Sequence, residues 1–170
     1  MPTANRTSHA TTETTRARST AADAIKLLTT DHKDVKQLFK NYDKLAKAEA
    51  ADDERRAVAE EICNMLTVHA TVEEELFYPA AREALDEQAL LDEAEVEHAS
   101  AKDLIAQIRG MSPSDDLYDA KVKVLGEYID HHVQEEEGEM FPKVRKSELD
   151  LKELGTQMQA RKDELMRQMV

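Results

Sequence analysis

Two stretches of the chain carry residue types and spacings that could do chemistry. From His69 to Pro79 the sequence reads His-Ala-Thr-Val-Glu-Glu-Glu-Leu-Phe-Tyr-Pro, and from His132 to Pro142 it reads His-Val-Gln-Glu-Glu-Glu-Gly-Glu-Met-Phe-Pro. Superposing the two histidines brings Glu73 onto Glu136, Glu74 onto Glu137, Tyr78 onto Phe141 and Pro79 onto Pro142. On a helix, residues four apart share a face, so each copy aims an imidazole and a carboxylate at one point. Two such pairs on neighbouring helices make a metal site. Mixed imidazole and carboxylate donors suit iron, manganese or zinc better than calcium or magnesium. Without cysteine among the donors, iron–sulfur chemistry is excluded.

The echo extends upstream, where Asp31-His32-Lys33-Asp34 and Glu97-His98-Ala99-Ser100 each place one further histidine ahead of a His-x3-Glu copy. The chain therefore reads as a duplicated helix pair. In this ordered set, residues 22 to 146 resemble the hemerythrin-like family of HHE cation-binding domains. The resemblance implies a four-helix bundle holding two non-haem irons joined by an oxo or hydroxo group. It implies His32, His69, His98 and His132 as histidine ligands, with Glu73 and Glu136 as bridging carboxylates. Oxygen-carrying hemerythrins have another histidine four residues after the third-helix ligand, and here that position is Lys102. Its neighbour in type, His131, points about 100° away from His132 on a helix and is placed on the flank. Fewer imidazoles leave coordination open, which favours reactive chemistry or sensing over reversible oxygen carriage.

The elements that would position these residues follow from apolar periodicity. A first helix, started by a Thr20-x-x-Asp23 capping pattern, carries Ile25, Leu28, His32, Val35, Phe39 and Tyr42 in steps of three and four. A second runs through Val58, Ile62, Met65, His69 and Leu76; a third through Leu91, Ala94, His98, Ala101, Ile105 and Ile108 to Gly110. A fourth, predicted to begin at the capping pattern of Ser112-Pro113-Ser114-Asp115, carries Tyr118, Val122, Leu125, Ile129, His132, Glu136 and Met140. One histidine in an apolar seam is usually a hydrogen-bonded core residue. Four seams each holding one, with two carboxylates, would cost about 1–3 kcal/mol per unsatisfied polar group if no cation entered, and more for each carboxylate.

Register supports an up-down-up-down bundle with all ligands in one layer. The point midway between His32 and His69 falls within Glu49–Asp53, and that between His98 and His132 falls just after Ser112-Pro113-Ser114. Both are loop signals. Helices two and four then run the same way, which puts Glu73 and Glu136 on the same side of their histidines. The other acids nearby, Glu74, Glu75, Glu97, Glu135, Glu137 and Glu139, are read as solvated or as hydrogen-bond partners of the ligand histidines. Tyr128 is read as core packing, with lining the pocket as the lesser alternative, and Phe77, Tyr78 and Phe141 as closing one end of the bundle.

The rest of the chain bounds the setting. With 170 residues, 41% hydrophobic and 35% charged, 4 Gly, 4 Pro and no Trp, the composition is that of one all-α domain. Residues 1–20, rich in Thr and Ser, read as a disordered tail, residues 21–146 as the metal-binding bundle, and residues 147–170 as a fifth helix that packs outside the bundle, caps one end or mediates association. The net charge of -13 argues against nucleic acid or anionic membrane as a partner. The single Cys63 is read as a structural thiol, and with no signal segment or membrane span the expected location is the cytoplasm. The functional expectation is a di-iron protein that meets a small oxidant: hydrogen peroxide, dioxygen or nitric oxide. Enzyme-like peroxide decomposition and an oxygen or iron sensor without turnover are the two readings.

Overall fold

Helix α1 (Ala24–Lys47) starts one residue after Asp23, whose side chain accepts a hydrogen bond from the Lys26 amide at 2.8 Å. The cap is thus the last residue of the Thr20-x-x-Asp23 pattern and not its first. These details come from a computed structural model, which describes residues 23–169; the predicted tail and Thr20 lie outside the described residues. At the end of α1 the chain turns through Glu49, which adopts a left-handed φ of 51°. Helix α2 (Asp52–Val72) then begins with Asp52, Asp53 and Glu54 against the positive end of its dipole, and Glu54 accepts from the Ala51 amide.

The histidine–carboxylate stretches are not continuous α-helix. Helix α2 widens into a π-turn at Glu73–Phe77 before continuing as α3 (Tyr78–Ala84). After α4 (Gln88–Arg109) and α5 (Tyr118–Glu135), the same widening recurs at Glu136–Met140 before α6 (Phe141–Lys146). In both copies the amide after the turn, of Tyr78 or Phe141, bonds back to the carbonyl of the glutamate, Glu73 or Glu136. The cause lies one residue further on. Pro79 and Pro142 have no amide to donate and their rings crowd the carbonyl four residues back, a conflict that a wider turn relieves. The last helix, α7 (Leu151–Gln168), is capped by Asp150.

One expected helix start is displaced. The Ser112-Pro113-Ser114-Asp115 pattern forms half a capping box, with Asp115 accepting from the Ser112 amide at 2.9 Å, but α5 begins at Tyr118. The residues between form successive turns, Asp115 amide to Ser112 carbonyl and Tyr118 amide to Asp115 carbonyl. The capping contact closes a single turn and does not propagate.

The architecture is all-α, with no strand among the described residues. Helices α1, α2, α4 and α5 form the four-helix bundle, each touching two of the others, and α7 packs outside it on α1, α2 and the first π-turn. Its apolar core is in two parts. Ile25, Leu28, Phe77, Leu91, Phe141 and Met158 belong to one end, and Tyr42, Ile62, Cys63, Ile105, Val122 and Leu125 to the other. Between them lies a layer of buried polar side chains, so both clusters of roughly Leu-sized residues, each contributing about 1.5–3 kcal/mol when buried, clamp that layer from above and below. Cys63 sits inside the second cluster, where burial pushes its thiol upward from the ordinary range.

Candidate metal centre

The polar layer consists of His32, His69, His98, His132, Glu73, Glu136 and Asp31, all buried. The sequence repeat is visible as a pseudo-twofold arrangement. His32 and His69 have ring centroids 5.0 Å apart, and His98 and His132 4.8 Å apart. Between the two pairs lie the carboxylates, with His69 Nε2 2.6 Å from Glu73 Oε1 and His132 Nε2 in contact with Glu136 Oε1. The ligand-type atoms of Glu73, His98, His132 and Glu136 lie within 4.8 Å of one another. All six residues singled out in the sequence are therefore brought to one place, and His131 is not. It is 66% exposed on the outer face, against Glu135 at 3.1 Å.

A second set of carboxylates braces the histidines from behind. Asp31 Oδ2 lies 3.0 Å from His69 Nδ1 and Glu137 Oε1 3.0 Å from His32 Nδ1; Glu97 Oε1 is 3.4 Å from His132 Nδ1 and Glu74 Oε1 3.8 Å from His98 Nδ1. The Asp31 and Glu137 contacts are hydrogen bonds, which favour a proton on Nδ1 and leave Nε2 free to face the centre; Glu97 and Glu74 stand near their histidines without hydrogen-bonding Nδ1. Every brace comes from a helix other than that of the histidine it serves. Asp31 precedes His32 in the chain but steadies His69, and Glu97 precedes His98 but faces His132.

Two site residues were not recognised as such in the sequence: Asp31, which holds His69, and Tyr78. Tyr78, expected only to close the end of the bundle, directs its hydroxyl into the centre, 3.0 Å from His98 Nε2, 3.2 Å from His132 Nε2 and 2.9 Å from Glu136 Oε1, to which it donates. Its repeat counterpart, Phe141, stacks on His32 with rings nearly parallel and 5.9 Å apart. The two halves are therefore chemically unequal at this position. The available signal was the mismatch itself, a hydroxyl present in one copy of the repeat and absent from the other. Tyr128 takes the lesser of its two readings: it is 49% exposed and lines a cavity, and does not pack in the core.

That cavity, about 220 Å³, has His32, His69, His98 and His132 along one wall and apolar residues such as Val35, Leu66, Ala101 and Ile129 along the others. Lys102 lies at its edge, 53% exposed, with its ammonium held by Glu74 at 2.5 Å. On the opposite side the aromatic cluster of Phe77, Tyr78 and Phe141 separates the centre from solvent.

The electrostatics show what the donor set lacks. Burial would lower the His69 pKa, but the Glu73 charge and the Asp31 hydrogen bond override it and hold the group at about 10. Burial likewise opposes His132, which Glu136 raises to about 9. Burial and the charge on Glu136 push Glu73 up to about 7, while burial and His132 push His98 down to about 3. Protons on two imidazoles thus stand in for the positive charge that buried carboxylates require. His32 Nε2, His98 Nδ1, His132 Nδ1, Glu136 Oε2 and Glu73 Oε2 still have no hydrogen-bond partner although they are buried, and Glu73 Oε1 has only its close ion-pair contact with His69. Convergent lone pairs with this shortage of positive charge fit a bound cation.

A pH prediction follows from the metal-free state. Raised folded-state values for His69 and His132 give stability that is complete below the ordinary imidazole value of 6.5 and is lost as pH climbs through about 9 and 10. Glu73 contributes with the same sign, its share disappearing as pH rises through about 7. His98, depressed to about 3, has already given its full contribution above 6.5 and does not oppose the trend. Urea unfolding of the metal-free protein should show stability falling from about pH 6.5 to about pH 10. A flat or rising profile there contradicts this charge assignment.

The fold and its buried layer define a helical bundle with a histidine–carboxylate centre built to accept a cation. The Hemerythrin HHE cation binding domain profile matches residues 23–144, and the chain belongs to that family. A solved hemerythrin HHE cation-binding domain-containing protein from Mycobacterium kansasii is similar at a TM-score of 0.70 and 26% identity, covering 85% of this chain and 87% of that one. A protein of Nostoc sp. described as a DNA nickase is 36% identical over 83 residues, 47% of this chain but only 22% of that protein. No helix among the described residues is long and apolar enough to cross a membrane.

Proposed function

We propose that His32, His69, His98, His132, Glu73 and Glu136, with the Tyr78 hydroxyl beside them, hold two iron ions, and that the loaded protein decomposes hydrogen peroxide. The observation that carries this reading is the convergence of unpartnered buried donor atoms, His32 Nε2, Glu136 Oε2 and Glu73 Oε2, in the same buried layer as the four histidines that line the cavity. The overall change is 2 H2O2 → O2 + 2 H2O, in which one peroxide is oxidised to dioxygen and the other reduced to water. When bound, iron supplies the electron exchange between the two.

The chain's own residues set the conditions. Asp31 and Glu137, hydrogen-bonded to Nδ1 of His69 and His32, orient those imidazoles so that Nε2 faces inward. The cavity admits a small neutral molecule along apolar walls, and the net charge of -13 favours uncharged peroxide over anionic substrates. With Lys102 engaged by Glu74, its ammonium is directed to the acid and to solvent, and the position supplies no fifth imidazole. Nicking of DNA, the activity named for the Nostoc relative, forms no part of this reading: a chain of this charge is repelled by a phosphate backbone, and most of that relative lies outside the match.

The test is to load the purified chain with iron, confirm close to two irons per chain, add peroxide and follow oxygen with an electrode. Oxygen should evolve catalytically and should not do so from the metal-free protein. A stable, reversible dioxygen adduct with no oxygen released from peroxide transfers the assignment to a carrier or sensor.

A further inference from the structure

The internal repeat lets one half of the centre serve as a control for the other. Asp31 and Glu97 are equivalent: each precedes a histidine and each faces the Nδ1 of the histidine on the next helix, at 3.0 Å and 3.4 Å. Their surroundings differ. The Asp31 side chain is 4% exposed and its second oxygen is taken by Lys162 Nζ of α7 at 2.5 Å; the Glu97 side chain is 24% exposed and pairs with no lysine or arginine among the described residues. The nearest analogue, Lys102 on Glu74, lies at the surface, and Glu74 stands 3.8 Å from His98 Nδ1, too far for a direct hydrogen bond.

We propose that Lys162 is a positioning residue of the metal centre: by holding Asp31 it fixes the His69 ring, so that α7 supports the metal on the His32–His69 side and not its neighbour. The inference rests on the two-metal reading above. Asp31 has one oxygen on Lys162 and the other on His69, which leaves the carboxylate no freedom to rotate. The imidazole it grips is thereby set in plane and tautomer, with Nε2 delivered to Glu73 at 2.6 Å. Docking is reinforced one residue earlier, where Arg161 pairs with Glu75 of the first π-turn. Among the described residues the other half has no such helix. There the Tyr78 hydroxyl lies against both imidazoles, so the two halves are steadied by different means.

The test uses the full chain, stripped of metal and titrated anaerobically with cobalt(II) in competition with a chelator, following the visible absorption of bound cobalt. Lys162→Met keeps the apolar stem and removes the cation; Lys162→Arg restores a cation and its donors. In Lys162→Met one cobalt should bind as in the unmodified chain and the other about tenfold more weakly, with most of the loss regained in Lys162→Arg. In the zinc-loaded protein, the nitrogen-15 NMR signal of His69 Nδ1 should move in Lys162→Met and that of His132 should not. Two unchanged cobalt affinities in Lys162→Met overturn the inference. So does an equal weakening of both sites together with a lower unfolding temperature of the metal-free protein, which would make α7 a general brace. An unmodified chain that takes up no cobalt overturns the metal reading itself, and this inference with it.

Discussion

Iron-loaded protein carrying His69→Ala is expected to lose most of its bound metal and to unfold about 8–16 °C lower than the loaded parent. Metal that binds the native state at a thousandfold excess over its dissociation constant contributes about 4 kcal/mol, and for a chain of this size each kcal/mol moves the midpoint by about 2–4 °C. His69 stands between two buried acids, touching Glu73 at 2.6 Å and Asp31 at 3.0 Å. Its removal also leaves two buried carboxylates facing a gap. The discriminating quantity is the difference between loaded and metal-free midpoints, measured calorimetrically beside metal content. In the variant that difference should collapse towards zero. If it persists at full size with two metals still bound, His69 is not a ligand, and the same measurement applies to His32, His98 and His132.

Tyr78→Phe is the second change with a large expected effect, and the molecule supplies its own precedent for folding. Phe141 occupies the repeat-related position and packs there without a hydroxyl, so phenylalanine at position 78 fits the same local backbone. The metal-free variant should lose the worth of one hydrogen bond to the charged Glu136, about 1.5–3 kcal/mol. Burial, reinforced by the charges of Glu73 and Glu136, holds the phenol far above its ordinary pKa, so it is protonated in the metal-free chain. A ferric ion on the His98–His132 side would draw that proton off, giving the coloured phenolate absorption in the unmodified protein. The variant should lack that band and hold one of its two metals about ten- to a hundredfold more weakly. Identical visible spectra and affinities in the two proteins would leave the hydroxyl a mere hydrogen-bond donor.

Much of this centre was legible because the chain states it twice. A histidine in each of four apolar seams and two copies of His-x3-Glu locate the layer, and loop signals midway between successive ligands give the bundle its register. What escaped was whatever depends on contacts between helices. Asp31 and Glu97 look like partners of the histidines beside them, yet adjacent residues on a helix diverge by about 100°, and each serves the next helix instead. Tyr78 aligned with Phe141 looked like half of an aromatic lid, because alignment pairs rings and says nothing about where a hydroxyl ends. The π-turns were within reach: Pro79 and Pro142 stand where an α-helix would need their amides, and the helices continue past both. Helix α7 could be predicted as a helix but not placed, since its apolar stripe carries no record of which face of the bundle it meets.

The crossing of braces between halves has a consequence for assembly. Glu74 of the first half lies behind His98 of the second, and Glu137 of the second hydrogen-bonds His32 of the first. A single helical hairpin of this kind would therefore present half a set of donors to open water and would need a second copy to complete it. Such pairing depends on protein concentration. Joined through the short stretch Leu85–Glu87, the two halves meet at an effective concentration on the order of millimolar, whatever the dilution of the protein. The link converts an encounter between molecules into a property of one chain, and frees the two copies to differ at single positions, as Tyr78 and Phe141 do.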